Sequence, residues 1–139
     1  MLIELTKIPI PNASNPSQHY LRVSLNSGPV NALSRALLVA LAEAISSANL
    51  PDSHVQGILL TSSLSKVFSA GLDLTELVLG ANTPTTAAEY LAHFQRVVFL
   101  LASSAVPVVA VVNGAAPAGG TVLALVSDYK LHLETVADS

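Results

Sequence analysis

Apolar and polar positions alternate from His19 to Leu25, a stretch rich in β-forming side chains after a Pro-, Asn- and Ser-rich lead-in, and this predicts a first strand. The turn Asn26-Ser27-Gly28-Pro29 follows. Leu33, Leu37, Leu38, Leu41, Ala44 and Ile45 then recur at helical spacing, so Ser34 to Ala48 reads as an amphipathic helix stopped by Pro51 and Asp52. Val55 to Thr61 is a short apolar run of strand type, and Leu64 to Gly71 a loop. Asp73 is placed to cap the free amides of a short helix. Gly80 to Pro84 breaks the pattern, and Thr86 with Glu89 forms a capping box opening a long helix to Ala102. Val106 to Val112 is apolar on both faces, as a strand inside a parallel or layered sheet should be. A Gly/Ala/Pro turn, a helix from Gly119 to Val126 and a strand from Asp128 to Leu133 complete the pattern. The order β-α-β-α-α-β-α-β predicts an α/β fold with right-handed crossovers, with residues 1–139 in one domain.

Composition narrows the class. The chain has 139 residues, 51% of them hydrophobic and 11% charged, which argues against disorder. So few charges suggest faces covered by another subunit or by further chain. A net charge of -3 without a basic cluster argues against a nucleic-acid partner. The absence of cysteine removes disulfides, thiolate chemistry and Cys-based zinc sites. The most apolar stretch, Val97 to Val112, is interrupted by Ser103, Ser104 and Pro107 and falls short of the roughly 20 residues a membrane helix needs, so no span is expected. Met1 to Pro11 has one Lys, no Arg and an early Glu4, a composition unlike a secretory signal or an Arg-rich transit peptide. His19, His54, His93 and His132 show no paired metal-binding spacing, and no metal is expected. No G-x-S-x-G nucleophile elbow, G-x-G-x-x-G or G-K-[ST] motif occurs.

Two strand-to-helix junctions hold the candidate chemistry: Lys66 to Leu74 (KVFSAGLDL) and Val112 to Thr121 (VNGAAPAGGT). Small residues at such a junction let backbone N–H groups point at a ligand, and the helix dipole adds partial positive charge. Taken singly, a Gly-rich turn before a helix is usually just a tight connection. Two of them facing one point would supply two donors to a single oxygen, as an oxyanion hole requires.

The pair FSAGLDL (Phe68 to Leu74) and NGAAPAGG (Asn113 to Gly120), followed by SDYKL (Ser127 to Leu131), resembles the enoyl-CoA hydratase/isomerase, or crotonase, superfamily. The segment Gly28-Pro29-Val30-Asn31-Ala32-Leu33 resembles that family's lead into its first helix. Within the family the wording is most like that of the delta-3,delta-2-enoyl-CoA isomerases of fatty-acid oxidation. The resemblance implies a spiral of β-β-α units, here only its N-terminal core, without the C-terminal helices that complete the CoA site and the trimer. It also implies a mitochondrial or peroxisomal setting, an acyl-CoA substrate with no further cofactor, and assembly with crotonase-like chains. By resemblance the backbone N–H groups of Leu72 and Gly119 form the oxyanion hole for the thioester oxygen. Ala70, Gly71, Leu72, Asp73 and Leu74 would then lie along the CoA and its acyl chain. Lys66 is near enough to meet a CoA phosphate, although an exposed solubilising Lys explains it as well.

Isomerisation also needs a base. The family's hydratases carry an acid one turn past the oxyanion glycine, at a position that falls on Val122, and the isomerases carry theirs at a position past Ser139. Glu134, Asp73 and Glu76 are the nearby alternatives, with simpler readings as a terminal acid, a helix cap and a surface acid. Three readings follow: an isomerase-like chain lacking its catalytic acid, a non-catalytic acyl-CoA or partner-binding module, and an incomplete core that does not fold stably alone.

Overall fold

The computed structural model describes residues 1–76, 84–116, 120, 123 and 126–132. Its main sheet has five strands in the order β1-β2-β4-β6-β7: β1 (Ile3–Pro9), β2 (His19–Leu25), β4 (Val55–Ser62), β6 (Val108–Val112) and β7 (Tyr129–His132). β1 runs antiparallel to β2, and β2, β4, β6 and β7 run parallel. A second, two-stranded parallel sheet joins β3 (Ala32–Leu33) to β5 (Gly71–Leu72). Helix α1 (Arg35–Ala48) follows β3, and α2 (Pro84–Ala102) precedes β6. Each β-β-α unit therefore gives one strand to the main sheet and a short one to the side sheet, the spiral that the resemblance implied.

One face of the main sheet is buried under the helices. Leu21, Val23, Ile58, Leu60, Val108 and Ala110 meet Leu37, Leu38, Leu41 and Ile45 of α1 and Val97 and Leu101 of α2 in one apolar cluster. The helical spacing of the α1 leucines reads directly onto this contact. Ser34 is the cap of α1, its Oγ accepting the Leu37 amide at 3.1 Å.

The elements depart from the sequence reading in four places. β1 lies within the segment read only as a leader composition. It is an edge strand with Ile3 buried and Leu5 half exposed, so its apolar pattern is too sparse to announce a strand. β3 and β5 are two residues each, below the length at which alternation is visible. The long helix starts at Pro84, which puts Thr86 inside the first turn and not at a cap. Proline lacks the N–H that the first helical position leaves unpaired anyway. β6 begins at Val108, two residues later than expected, because Pro107 cannot donate to the ladder. Of the expected helix from Gly119 to Val126, Gly120 and Leu123 are helical and most other positions lie outside the described residues, as does Leu133 of the last strand.

Candidate functional site

β2, β4 and β6 are parallel, so the loops that leave their carboxyl ends, after Leu25, Ser62 and Val112, emerge on the same edge of the sheet. That edge is where parallel α/β sheets form ligand crevices. The two junctions meet there. The Ala115 amide donates to the Lys66 carbonyl at 3.1 Å, and the Ala115 carbonyl accepts from Phe68 N–H at 2.8 Å and Ser69 N–H at 3.3 Å. Val67 and Ala115 form a parallel bridge. A Cβ at Gly120 would stand 2.5 Å from the Ser69 carbonyl oxygen, so glycine is what allows the second junction to close on the first.

Buried polar side chains hold the first junction in shape. Asn31, fully buried, donates from Nδ2 to the Phe68 carbonyl at 2.9 Å and to Ser62 Oγ at 2.8 Å, and its Oδ1 accepts the Ser27 amide at 2.6 Å. Ser62 Oγ donates to the Val67 carbonyl at 2.8 Å, and Ser69 Oγ to the Asn31 carbonyl at 2.8 Å. From the second junction, Asn113 Nδ2 donates to the Ser62 carbonyl at 2.9 Å.

The amides around Leu72 are each accounted for. Ala70 N–H donates to the Val30 carbonyl at 2.9 Å, Gly71 N–H to Ser69 Oγ at 3.1 Å, and Asp73 N–H to Tyr90 Oη at 2.8 Å. Gly71 has φ 90, a conformation that a Cβ strongly disfavours, and it turns the chain into β5. Leu72 is half-buried against the core, while Leu74 is 67% exposed. Of the expected site residues, Ala70 to Leu74 are thus placed on one short segment beside the second junction. Gly119, Val122 and Glu134 lie outside the described residues.

The nearby acids are engaged in local structure. Asp73 Oδ1 accepts the Thr75 amide at 2.9 Å, the capping role read from the sequence. Glu76 Oε2 accepts the Arg35 amide at the start of α1, a helix with no acid in its own first turn. Lys66 is exposed. Among the described residues no group of three His, Asp or Glu side chains is gathered as a metal site would be, and no helix is long and apolar enough to cross a membrane.

Tyr90 is the residue that sequence reasoning passed over. It is 1% exposed, and its hydroxyl accepts from Asp73 N–H and donates to the Leu33 carbonyl. Burial raises its pKa, the Asp73 amide opposes this, and the Glu76 and Asp73 carboxylates raise it further. The signal was present: Tyr90 shares the apolar stripe of α2 with Phe94, Val97 and Leu101, and a buried tyrosine must find a partner for its hydroxyl.

Residues 17–136 match the family model described as enoyl-CoA hydratase/isomerase. Mouse mitochondrial enoyl-CoA delta isomerase 1 is 38% identical over 109 residues, 78% of this chain and 37% of that protein. The human protein of the same name is 39% identical over 103 residues, 74% of this chain and 33% of its own length. The chain thus spans about a third of the length of the curated relatives it matches. Among solved structures, human mitochondrial delta3-delta2-enoyl-CoA isomerase superposes with a TM-score of 0.77 at 33% identity, over 91% of this chain and 46% of that one. Pseudomonas aeruginosa DspI shares the fold with a TM-score of 0.81 at 24% identity, over 94% of this chain and 45% of that one. With the family's paired motifs joined at one sheet edge and the family model matched along nearly the whole sequence, the chain belongs to the enoyl-CoA hydratase/isomerase family.

Proposed function

We propose that this chain binds the thioester of an acyl-CoA, with the carbonyl oxygen held between the backbone N–H groups of Leu72 and Gly119. The observation that carries this reading is the backbone seam between the junctions, Ala115 against Lys66, Phe68 and Ser69, with Gly120 in contact with Ser69. Donors fixed in that way need no reorganisation when charge develops on the oxygen. The segment Ala70 to Leu74 lies along the CoA and the start of the acyl chain, and no cofactor beyond the substrate is required.

The reaction class is the shift of a 3-enoyl double bond to the 2-position, as in fatty-acid β-oxidation. A base removes a proton from C2, the electron pair spreads onto the thioester oxygen as an enolate, and a proton returns at C4. The two N–H groups stabilise the enolate and do not move the proton. In these 139 residues Val122 stands at the hydratases' acid position. Asp73 and Glu76 are committed to the Thr75 and Arg35 amides. On this reading none of the acids described at the site is a free base, so these residues bind acyl-CoA without turnover, and the setting is the mitochondrion, as for the named relatives.

Two assays test this together. Titration calorimetry should give saturable binding of hexanoyl-CoA that a bulky substitution, Gly119→Leu, weakens at least tenfold. 3-Hexenoyl-CoA should stay unisomerised at the same protein concentration. Robust isomerisation would overturn the missing-base reading, and no binding at all would overturn the acyl-CoA reading.

A further inference from the structure

Leu33 of β3 pairs with Leu72 of β5 in parallel register. The Ser34 amide is spent on the Ala32 carbonyl at 2.8 Å, and in the parallel phase that remains the amide one residue after Leu72 donates straight to the Leu33 carbonyl. Here that amide, of Asp73, donates instead to Tyr90 Oη at 2.8 Å, and the Tyr90 hydroxyl donates onward to the Leu33 carbonyl. A side-chain hydroxyl from α2 thus replaces one rung of the side sheet. It stands between the two chains just past the Leu33–Leu72 pair, next to the residue whose amide faces the proposed ligand.

The consequence for Leu72 follows from strand geometry. Successive N–H groups along an extended strand point to opposite sides. Holding Asp73 N–H toward β3 would turn Leu72 N–H away from β3, toward the side on which the proposed ligand oxygen lies. The upstream amides of Ala70 and Gly71 are bound to Val30 and Ser69, so the segment is clamped on both sides of Leu72. We propose that Tyr90 is a positioning residue for the Leu72 donor, setting through one hydroxyl the gap between β3 and β5 and the aim of the Leu72 amide at the thioester oxygen. This rests on the acyl-CoA reading above.

The role needs a hydroxyl that both accepts and donates, which phenol supplies and a methyl or phenyl group does not. Burial in the core, with Asp73 and Glu76 close by, keeps that hydroxyl protonated and able to donate to Leu33. In Tyr90→Phe the rung collapses: Asp73 N–H closes directly onto Leu33, and the Leu72 amide swings with it.

The test uses the full chain and hexanoyl-CoA labelled with ¹³C at the thioester carbonyl, read by infrared difference spectroscopy. Bound to the unsubstituted chain, the carbonyl band moves to lower frequency, as hydrogen bonding to two amides requires. Tyr90→Phe should keep a cooperative thermal melt and its affinity for CoA without an acyl group. It should bind hexanoyl-CoA about fivefold more weakly, the worth of one ordinary hydrogen bond, and lose most of the band shift. A variant with the full band shift and unchanged affinity overturns the role of Tyr90 and leaves the acyl-CoA reading standing. No band shift in the unsubstituted chain overturns both.

A second measurement keeps the hydroxyl in place. The protein has three tyrosines, so with Tyr20→Phe and Tyr129→Phe, incorporated 3-fluorotyrosine reports on Tyr90 alone. Its ¹⁹F resonance should move on adding hexanoyl-CoA and stay still with CoA. A resonance indifferent to both overturns the proposal even where the Phe variant fails to fold.

Discussion

The Asn31 side chain reaches groups from separate segments: the Ser27 amide in the turn after β2, Ser62 Oγ at the end of β4, and the Phe68 carbonyl in the first junction. Its backbone has φ 52, a conformation asparagine tolerates better than most residues. Asn31→Ala leaves buried donors and acceptors unpaired and should lower stability by about 2–4 kcal/mol in a denaturant melt. A loss below about 1 kcal/mol would show that the junction holds its shape without this side chain. Tyr90 makes a second residue-scale prediction. Its folded-state pKa lies above the ordinary value of 10.0, chiefly through burial. The unfolded chain releases that proton first, so this contribution to stability is whole below the unfolded pKa and is lost as pH rises from there through the folded pKa. Unfolding free energies measured from about pH 9 to 11 should fall more steeply for the unsubstituted chain than for Tyr90→Phe, and parallel curves would contradict this.

At the scale of elements, α1 begins with two borrowed or local caps. Ser34 Oγ takes the Leu37 amide, and Glu76, from the segment after β5, takes the Arg35 amide. The Glu76 carboxylate also puts negative charge at the positive end of the helix dipole. Glu76→Ala should cost about 1 kcal/mol of stability in a thermal or denaturant melt, with hexanoyl-CoA affinity unchanged. A large loss of affinity would move Glu76 into the acyl channel. The elements that pack the core were legible in sequence because burial imposes a period. The α1 leucines repeat at helical spacing, and Val108 to Val112 is apolar on both faces in a strand flanked by neighbours on each side. β1 was not legible because an exposed edge strand has little to bury, and β3 and β5 were not because two residues make no pattern. The two junction motifs were legible as residues and as a resemblance. What ties the first junction to β3 and α1 was not: the Tyr90 relay and the Glu76 cap are long-range contacts that no local spacing encodes.

At the scale of the whole molecule, the parallel run β2-β4-β6 places three carboxyl-end loops on one edge and packs both helices on one face. On the opposite face Thr6 and Arg22 lie in register toward the β1 edge, and the part built by β4, β6 and β7 is apolar. In register across it stand Leu59, Val109 and Tyr129, then Val111 and Leu131, with Tyr129 68% and Leu131 56% exposed. This surface is the structural counterpart of a sequence with only 11% charged residues. Both junction motifs lie on that one edge, joined backbone to backbone. The central claim, that Leu72 and Gly119 form a single carbonyl site, is tested most directly by amide NMR of the ¹⁵N-labelled full chain titrated with hexanoyl-CoA and, separately, with CoA. The Leu72 and Gly119 resonances should shift together, along one saturation curve, with the thioester and not with CoA alone. Movement of neither resonance, or of one without the other, would contradict it.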